Sequence, residues 1–252
     1  MLARSRMPAL AATIGPAALA LPLSLAVPAQ AAAAGNVGAR GPARVRASAP
    51  SVIPSPAFAG YVASVATGSA TSAAAQFKVP RLPCTTTYWA IAPGVAINNF
   101  TSSSAALVFA ACYHGRAVYV PVLDINNNAV YYNTTRVRAG DVIKVSAKVT
   151  TRGTTVQVTD VTRRVTKRRT GPGANSSTAA VGDNGWTADG RTPLGVPGFG
   201  TLTFTSCLVD GRALARSHPA RYQRVTSRGI LQIATGALSP GGTAFPTHYK
   251  HF

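Results

Sequence analysis

Residues 138–149 read RAGDVIKVSAKV, and the stretch from Asp141 to Val149 decides the fold. Ile143, Val145, Ala147 and Val149 alternate with Val142, Lys144, Ser146 and Lys148. A period of two puts the first set on one side of an extended chain and the second, mostly polar set on the other. That is a strand with one face in a core and one in water. Working outward, the same signature recurs. Upstream lie AGYVASVA, AAAQFKVP, TTYWAIAP, AALVFAACY, AVYVPVLDI and AVYYNTTRV; downstream lie TTVQVTDV, TLTFTSCLV and GILQIATG. Each is short, β-branched or aromatic, and bounded by Gly, Pro, Asn or Ser. INNNAV and TRGTTV mark tight connections. No amphipathic helix is legible after residue 57. Many short strands at regular spacing predict an all-β fold, an antiparallel β-sandwich with one face of each sheet turned inward.

Ahead of this array, Arg4 and Arg6 precede an apolar run from Pro8 to Val27 that ends in Ala29-Gln30-Ala31. A positive start, an apolar centre and a small-residue exit predict a signal peptide over residues 1–31. Pro16, Pro22 and Pro28 interrupt the run and argue against a membrane anchor, and no later stretch is apolar enough to span a bilayer. The expectation is a secreted, extracellular protein. Residues 32–56, rich in Ala, Gly, Pro and Arg, read as a disordered basic linker. Residues 57–252 remain as one β domain, expected to be monomeric.

The chain carries 25 Lys and Arg against six acids, a formal net charge of +19. The acids are Asp124, Asp141, Asp160, Asp183, Asp189 and Asp210; glutamate is absent. Such a balance favours anionic polymers as partners. The dense cluster TRRVTKRR, with Arg163, Arg164, Lys167, Arg168 and Arg169, is the candidate contact; otherwise it is a solvated strand and turn. No stacking-aromatic motif or zinc spacing marks a specific nucleic-acid reader. Three cysteines in an exported chain predict one disulfide and one remaining thiol. Cys84 and Cys112 each lie beside a strand of the first half and are the favoured pair; Cys207, in TFTSC, is expected as a buried small hydrophobe.

Residues 182–190, GDNGWTADG, set Trp186 among glycines and two aspartates, as in a ligand-facing loop or a plain turn. His114, His218, His248 and His251 are scattered, and no nucleophile elbow, HExxH or phosphate-cradling glycine motif occurs. No metal site and no cofactor are expected.

The order of segments resembles the glutamic peptidase (eqolisin) family over roughly residues 58–250. The residues that carry it are Phe58-Ala59-Gly60-Tyr61-Val62, Phe77-Lys78-Val79-Pro80, Trp89 opening a Gly-containing turn, and Arg138-Ala139-Gly140-Asp141-Val142-Ile143. VQVTDVT and Phe199-Gly200-Thr201-Leu202-Thr203-Phe204 complete the series. The resemblance implies two long, curved antiparallel sheets, a concanavalin- or lectin-like jelly roll. It also implies a catalytic pair on the concave sheet: a glutamate that takes a proton from water and a glutamine that donates to the oxyanion.

Carried over residue by residue, that pair is not kept. The glutamine segment matches Leu107 to Ala111, which puts Phe109, without a donor, at the glutamine. The glutamate lies three residues after an aromatic; with Trp186 as the aromatic, it falls on Asp189, one methylene short. Pro93 stands where the family has an aspartate, and the strand from Ala117 to Leu123 lacks the family's tryptophan and glutamate. Losing one oxyanion donor costs about 10²–10³ in turnover. The expectation is therefore a glutamic-peptidase-like protein without peptidase activity that binds an extracellular peptide or saccharide in its cleft. Trp89, Phe109, Trp186 and Asp189 are the cleft candidates, though Trp186 suits a core equally, Trp89 on its apolar strand suits the core or the cleft floor, and Asp189 suits a turn. The alternatives are a diverged endopeptidase with Asp189 as base and Gln76 or a backbone amide as donor, or a basic surface-adhering protein.

Overall fold

A computed structural model describes residues 51–68, 71–85, 89–99, 102–185 and 195–250. Among these residues the first half of the chain forms β1 (Val52–Ser55), β2 (Phe58–Ser64), β3 (Thr71–Lys78), β4 (Trp89–Asn98), β5 (Ser103–Tyr113), β6 (Arg116–Ile125), β7 (Asn128–Tyr131) and β8 (Val142–Val149). The second half forms β9 (Thr154–Asp160), β10 (Val165–Gly171), β11 (Thr178–Asn184), β12 (Thr201–Val209), β13 (Arg212–Ala213), β14 (Ala220–Val225), β15 (Leu231–Thr235) and β16 (Phe245–Tyr249). A single turn of 3₁₀-helix, Leu214–Ser217, interrupts them.

The strands follow one hydrogen-bonded path, β10-β9-β8-β3-β12-β16-β15-β14-β2-β11-β4-β5-β6-β7. All its pairings are antiparallel; β1, which joins β14 in parallel, stands off the path. The path doubles back on itself. β9 lies against β5 and β6, β8 against β4 and β5, and β3 against β4 and β11, although none of these pairs shares a ladder. Two facing layers result: β10-β9-β8-β3-β12 is the first and β2-β11-β4-β5-β6 the second, with β16, β15 and β14 turning the corner. This is the expected antiparallel sandwich.

The main core fills the space between the layers. β8 supplies Ile143, Val145, Ala147 and Val149, as its alternation predicts; β3 adds Ala73, Ala75 and Phe77, and β12 adds Leu202 and Phe204. From the second layer come Ile91, Val95 and Ile97 of β4 with Ala106, Val108 and Ala110 of β5. The second layer is buried on its other face too, by a separate cluster of Phe58, Ala92, Ala96, Ala105, Leu107 and Val122.

The disulfide joins Cys84 to Cys112, as expected, and Cys207 is buried and unpaired in any disulfide. Burial pushes the Cys207 thiol up to about 12. One boundary needs correction. β1 lies inside the stretch read as disordered linker, so order begins by Val52 and not near Phe58; Val52 and Ile53 extend readily and add to β14. The proposed signal peptide and the rest of the linker, residues 1–50, lie outside the described residues. No helix among the described residues is long and apolar enough to cross a membrane.

Candidate functional site

The register of the second layer builds the site. Ile91 pairs with Ala110 and Gly94 with Leu107, which brackets Ala92 opposite Phe109. Ala92 faces Asn184 on β11, and Asn184 faces Phe58 on β2. Phe58, Asn184, Ala92 and Phe109 thus form one row across four strands. The next row is Gly60, Gly182, Gly94 and Leu107. Strand alternation turns both rows away from the main core, and Phe109 and Tyr222 pack on the separate cluster there.

The glycines are needed for close approach. A Cβ on Gly182 would stand 2.3 Å from the Ala59 carbonyl oxygen, and one on Gly60 2.3 Å from the Val181 oxygen. Both would also come 2.9 Å from the Phe58 ring tip. β2 and β11 therefore meet backbone to backbone, with Phe58 laid over the junction. Tyr222 meets Phe58 edge-on, with ring centres 6.0 Å apart. Where a small-residue floor would leave a trough, two aromatic rings occupy it.

Asp183, beside this row on β11, is fully buried, as is Arg224 on β14. The Ala92 N–H donates to Asp183 Oδ1 at 2.7 Å, and Arg224 Nη1 stands 3.9 Å from Oδ2. Burial pushes the Asp183 carboxyl up to about 7, against the opposing pull of Arg224 and the Ala92 N–H. Burial likewise lowers Arg224, against the carboxylate's support. This pair escaped the sequence reading, which took GDNGWTADG as one loop; Gly182, Asp183 and Asn184 instead complete β11. The available signal was the apolar run Ala179-Ala180-Val181 leading directly into the GDN.

Of the sequence-derived candidates, the two described, Trp89 and Phe109, lie on opposite sides of the second layer. Trp186 and Asp189 lie outside the described residues. Trp89 shares a side of β4 with Ile91, packs on the main core, and rests its indole against Gly195, where a Cβ would stand 2.7 Å from Cδ1. The main core thus lies on the opposite side of the layer from Phe109. Gln76 points outward from the first layer, between buried Ala75 and Phe77, so it cannot serve Phe109 as the missing donor. Asp124 does share the outer side of the second layer, opposite Ala105, with burial raising its carboxyl to about 6 against Arg169 and the Asn128 N–H. Strand spacing puts it about 14 Å from Phe109.

Asp141 closes a turn, accepting from the Arg138 N–H at 2.8 Å and from Arg163 Nε at 2.7 Å. Asp160 accepts from the Arg163 N–H at 3.0 Å. Both carboxylates are structural anchors for the β9–β10 turn. The cluster TRRVTKRR is therefore not a single patch. Arg163 is held by Asp141, Lys167 lies 5.6 Å over the Tyr132 ring, and Arg169 donates to the Asn128 carbonyl and side chain. Arg164 and Arg168 remain exposed. Among the described residues no group of three His, Cys or Asp could hold a metal ion.

The fold has close structural counterparts. Scytalido-glutamic peptidase bound to a transition-state analogue superposes with a TM-score of 0.63 at 14% identity, covering 77% of this chain and 98% of that one. SCP-B, an eqolisin in complex with the tripeptide Ala-Ile-His, gives 0.62 at 14% identity with the same coverage. Aspergilloglutamic peptidase from Aspergillus niger gives 0.56 at 18% identity, covering 64% of this chain and 99% of that one. At these identities the likeness is one of fold. No functionally curated protein matches the chain. The peptidase A4 family model matches residues 56–228, most of the described domain, and the chain belongs to that family.

Proposed function

We propose that this protein is a secreted, non-hydrolytic member of the family that binds an extended peptide on the outer side of its second layer. The observation that carries the reading is the row around Phe109. A benzyl group stands at the position matched to the catalytic glutamine, and the chain contains no glutamate. Of the described acids on that layer, Asp183 is sealed against Arg224 and Asp124 stands about 14 Å away by strand spacing. A carboxylate and an amide must reach one water together to hydrolyse a peptide, and among the described residues this row offers no such pair. Phe109, Asn184 and Tyr222 are instead a partly exposed apolar and amide surface. It suits a peptide side chain with one backbone hydrogen bond. The peptide ligands of the similar structures lend support. Export is supported by the Cys84–Cys112 disulfide, which persists in oxidising surroundings.

The test uses the purified chain and denatured protein substrates between pH 3 and pH 7. Expected are no cleavage beyond that of an Asp189→Asn variant, and peptide binding by calorimetry that Phe109→Ala weakens about tenfold, the loss of one buried aromatic contact. Turnover abolished by Asp189→Asn would establish the endopeptidase instead. An oligosaccharide that displaces the peptides would identify a saccharide ligand. N-terminal sequencing of the exported protein should begin close to Ala32.

A further inference from the structure

We propose that the outer face of the first layer is a docking surface for a linear, hydroxyl-rich polyanion, a chain of sugars or polyols carrying phosphate or carboxylate groups. This face is separate from the surface around Phe109 and does not depend on its reading. Strand register assembles it from residues far apart in sequence. Lys144 on β8 lies between Gln76 on β3 and Thr159 on β9; Ser146 faces Gln157, which faces Arg168 on β10; Lys148 faces Ser72. Their neighbours Ile143, Val145 and Ala147 fill the main core, so alternation turns this set toward water. Lys78, at the end of β3, belongs to the same side.

Lys78, Lys144, Lys148 and Arg168 are all exposed, and none has an ion-pair partner among the described residues. Among the described residues one exposed carboxylate borders the face: Asp210, just past the end of β12, accepts from the N–H of Ser72, opposite Lys148, at 2.7 Å. Asp141 and Asp160 are buried, and Asp141 is held by Arg163. Strand geometry sets neighbouring cations about 8 to 14 Å apart and puts Lys78 about 20 Å from Lys148 and from Arg168. Hydroxyls and amides fill the intervals: Gln157 donates to Thr159, and Thr159 bonds Thr166.

A second feature continues the surface. A hollow of about 620 Å³ lies at the Lys78 end, walled by Lys78, Arg81, Gly140, Phe199, Thr201 and Thr203. Phe204 pairs with Phe77, which brings Thr203 beside Lys78 on the outer side. A chain lying along the face can therefore place one anionic group between Lys78 and Arg81. The chemistry of the face selects the partner. Among the described residues it has no exposed aromatic platform on which nucleic-acid bases would stack. It has no apolar wedge to enter a bilayer. Its side-chain hydroxyls and amides match the hydroxyls of a polyol or sugar chain, and its cations match the charges.

The purified chain is titrated by calorimetry with poly(glycerol phosphate) and with polygalacturonate at 50 and 200 mM NaCl. The variant K78Q/K144Q/K148Q/R168Q is compared with R116Q/R212Q/R216Q/R228Q, which removes four exposed cations elsewhere and leaves the same net charge. The first variant is expected to bind both polymers at least tenfold more weakly, with its log–log salt slope lower by about 3, as for four lost phosphate contacts. The control stays within twofold of the parent, and K144R/K148R retains binding. Equal losses in the two quadruple variants would overturn the proposal, since net charge alone would then explain the binding. Tighter binding to a single-stranded oligonucleotide or to phosphatidylglycerol vesicles than to either polymer would also overturn it. So would binding of neutral dextran at the strength of the polyanions.

Discussion

β8 and β5 face each other across the core, yet they are built by different rules. β8 buries every second residue and shows Lys144 and Lys148 to water. β5 is buried at almost every position from Ser104 to Cys112, with Phe109 partly open. The contrast extends to the layers they belong to. The first layer has one core face and one polar face, so its sequences alternate. The second layer has apolar clusters on both faces, so its sequences run as near-continuous Ala, Val, Ile and Leu. The lesson concerns function as much as folding. The outer side of the second layer is largely apolar, with Phe58 and Leu107 buried beside a row of glycines and Phe109 and Tyr222 partly open. The side that remains polar and open belongs to the other layer.

The contrast is broken most severely by stranding the charge buried in the second layer. Arg224→Leu should cost about 3–5 kcal/mol, because Asp183 is left in the interior without its counter-charge. Urea denaturation at pH 8 measures it, and Asp183→Asn in the same chain should recover most of the loss. A cost below about 1 kcal/mol would mean that water reaches the pair. The parent protein adds a signed test. The folded carboxyl, pushed from 3.8 up to about 7, holds its proton more tightly than the unfolded chain does. Its contribution is thus greatest at acid pH and declines as pH rises from about 4 to about 7. Melting curves of Asp183→Asn should lack that decline.

Next in size is the glycine contact. Gly182→Ala drives a methyl group to 2.3 Å from the Ala59 oxygen, and β2 and β11 must separate to admit it. The expected cost is about 1–3 kcal/mol or more. The same substitution at Gly211, where nothing lies within 4 Å, serves as a comparison for backbone strain alone, since its φ is +72°.

These two sites also show what a sequence makes legible. DVIKVSAKV specifies both its strand and its buried side, because a polar residue at every second position leaves one arrangement that satisfies all of them. AALVFAACY specifies a strand but neither side: either face of an apolar run can meet the core. Placing Phe109 on the outer side required the pairings of β4 and β5, which are contacts distant in sequence. Asp183 was obscured for a related reason. A polar GDN ending an apolar run has the composition of a loop, and pairing with β2 and β4, both distant in sequence, makes it part of a strand. TRRVTKRR forms the solvated turn and strand that its composition suggests, and its cations divide because neighbours on a strand point to opposite sides. The disulfide was legible because Cys84 precedes β4 and Cys112 lies near the end of its partner β5, while Cys207 takes a buried position on the alternating β12.

The first layer should answer acid in the opposite direction. Burial works to raise Asp141, but hydrogen bonds from Arg163 and the Arg138 N–H outweigh it and hold the carboxyl below its ordinary range. Its stabilisation is present above the unfolded value of 3.8 and is lost as pH falls through the lower folded value. Asp141→Asn should therefore flatten the acid limb of a melting-temperature profile, where Asp183→Asn flattens the limb between about 4 and 7. Asp160 is displaced upward, first by its own burial and then by the neighbouring Asp141 charge, so Asp160→Asn should change the slope with the opposite sign to Asp141→Asn.

The smallest effect is expected on the outer face of β8. Lys148→Gln removes a solvated charge beside Ser72 and should alter stability by no more than about 0.5 kcal/mol. The equivalent step in the second layer, Leu107→Gln, places an amide among Ala92, Ala105 and Val122 and should cost several times as much. The pair of measurements asks whether the two outer faces differ as their side chains imply. Similar small costs at both positions would mean that the surface around Phe109 is open to water and able to carry polar chemistry, and the case against hydrolysis there would lose its physical basis.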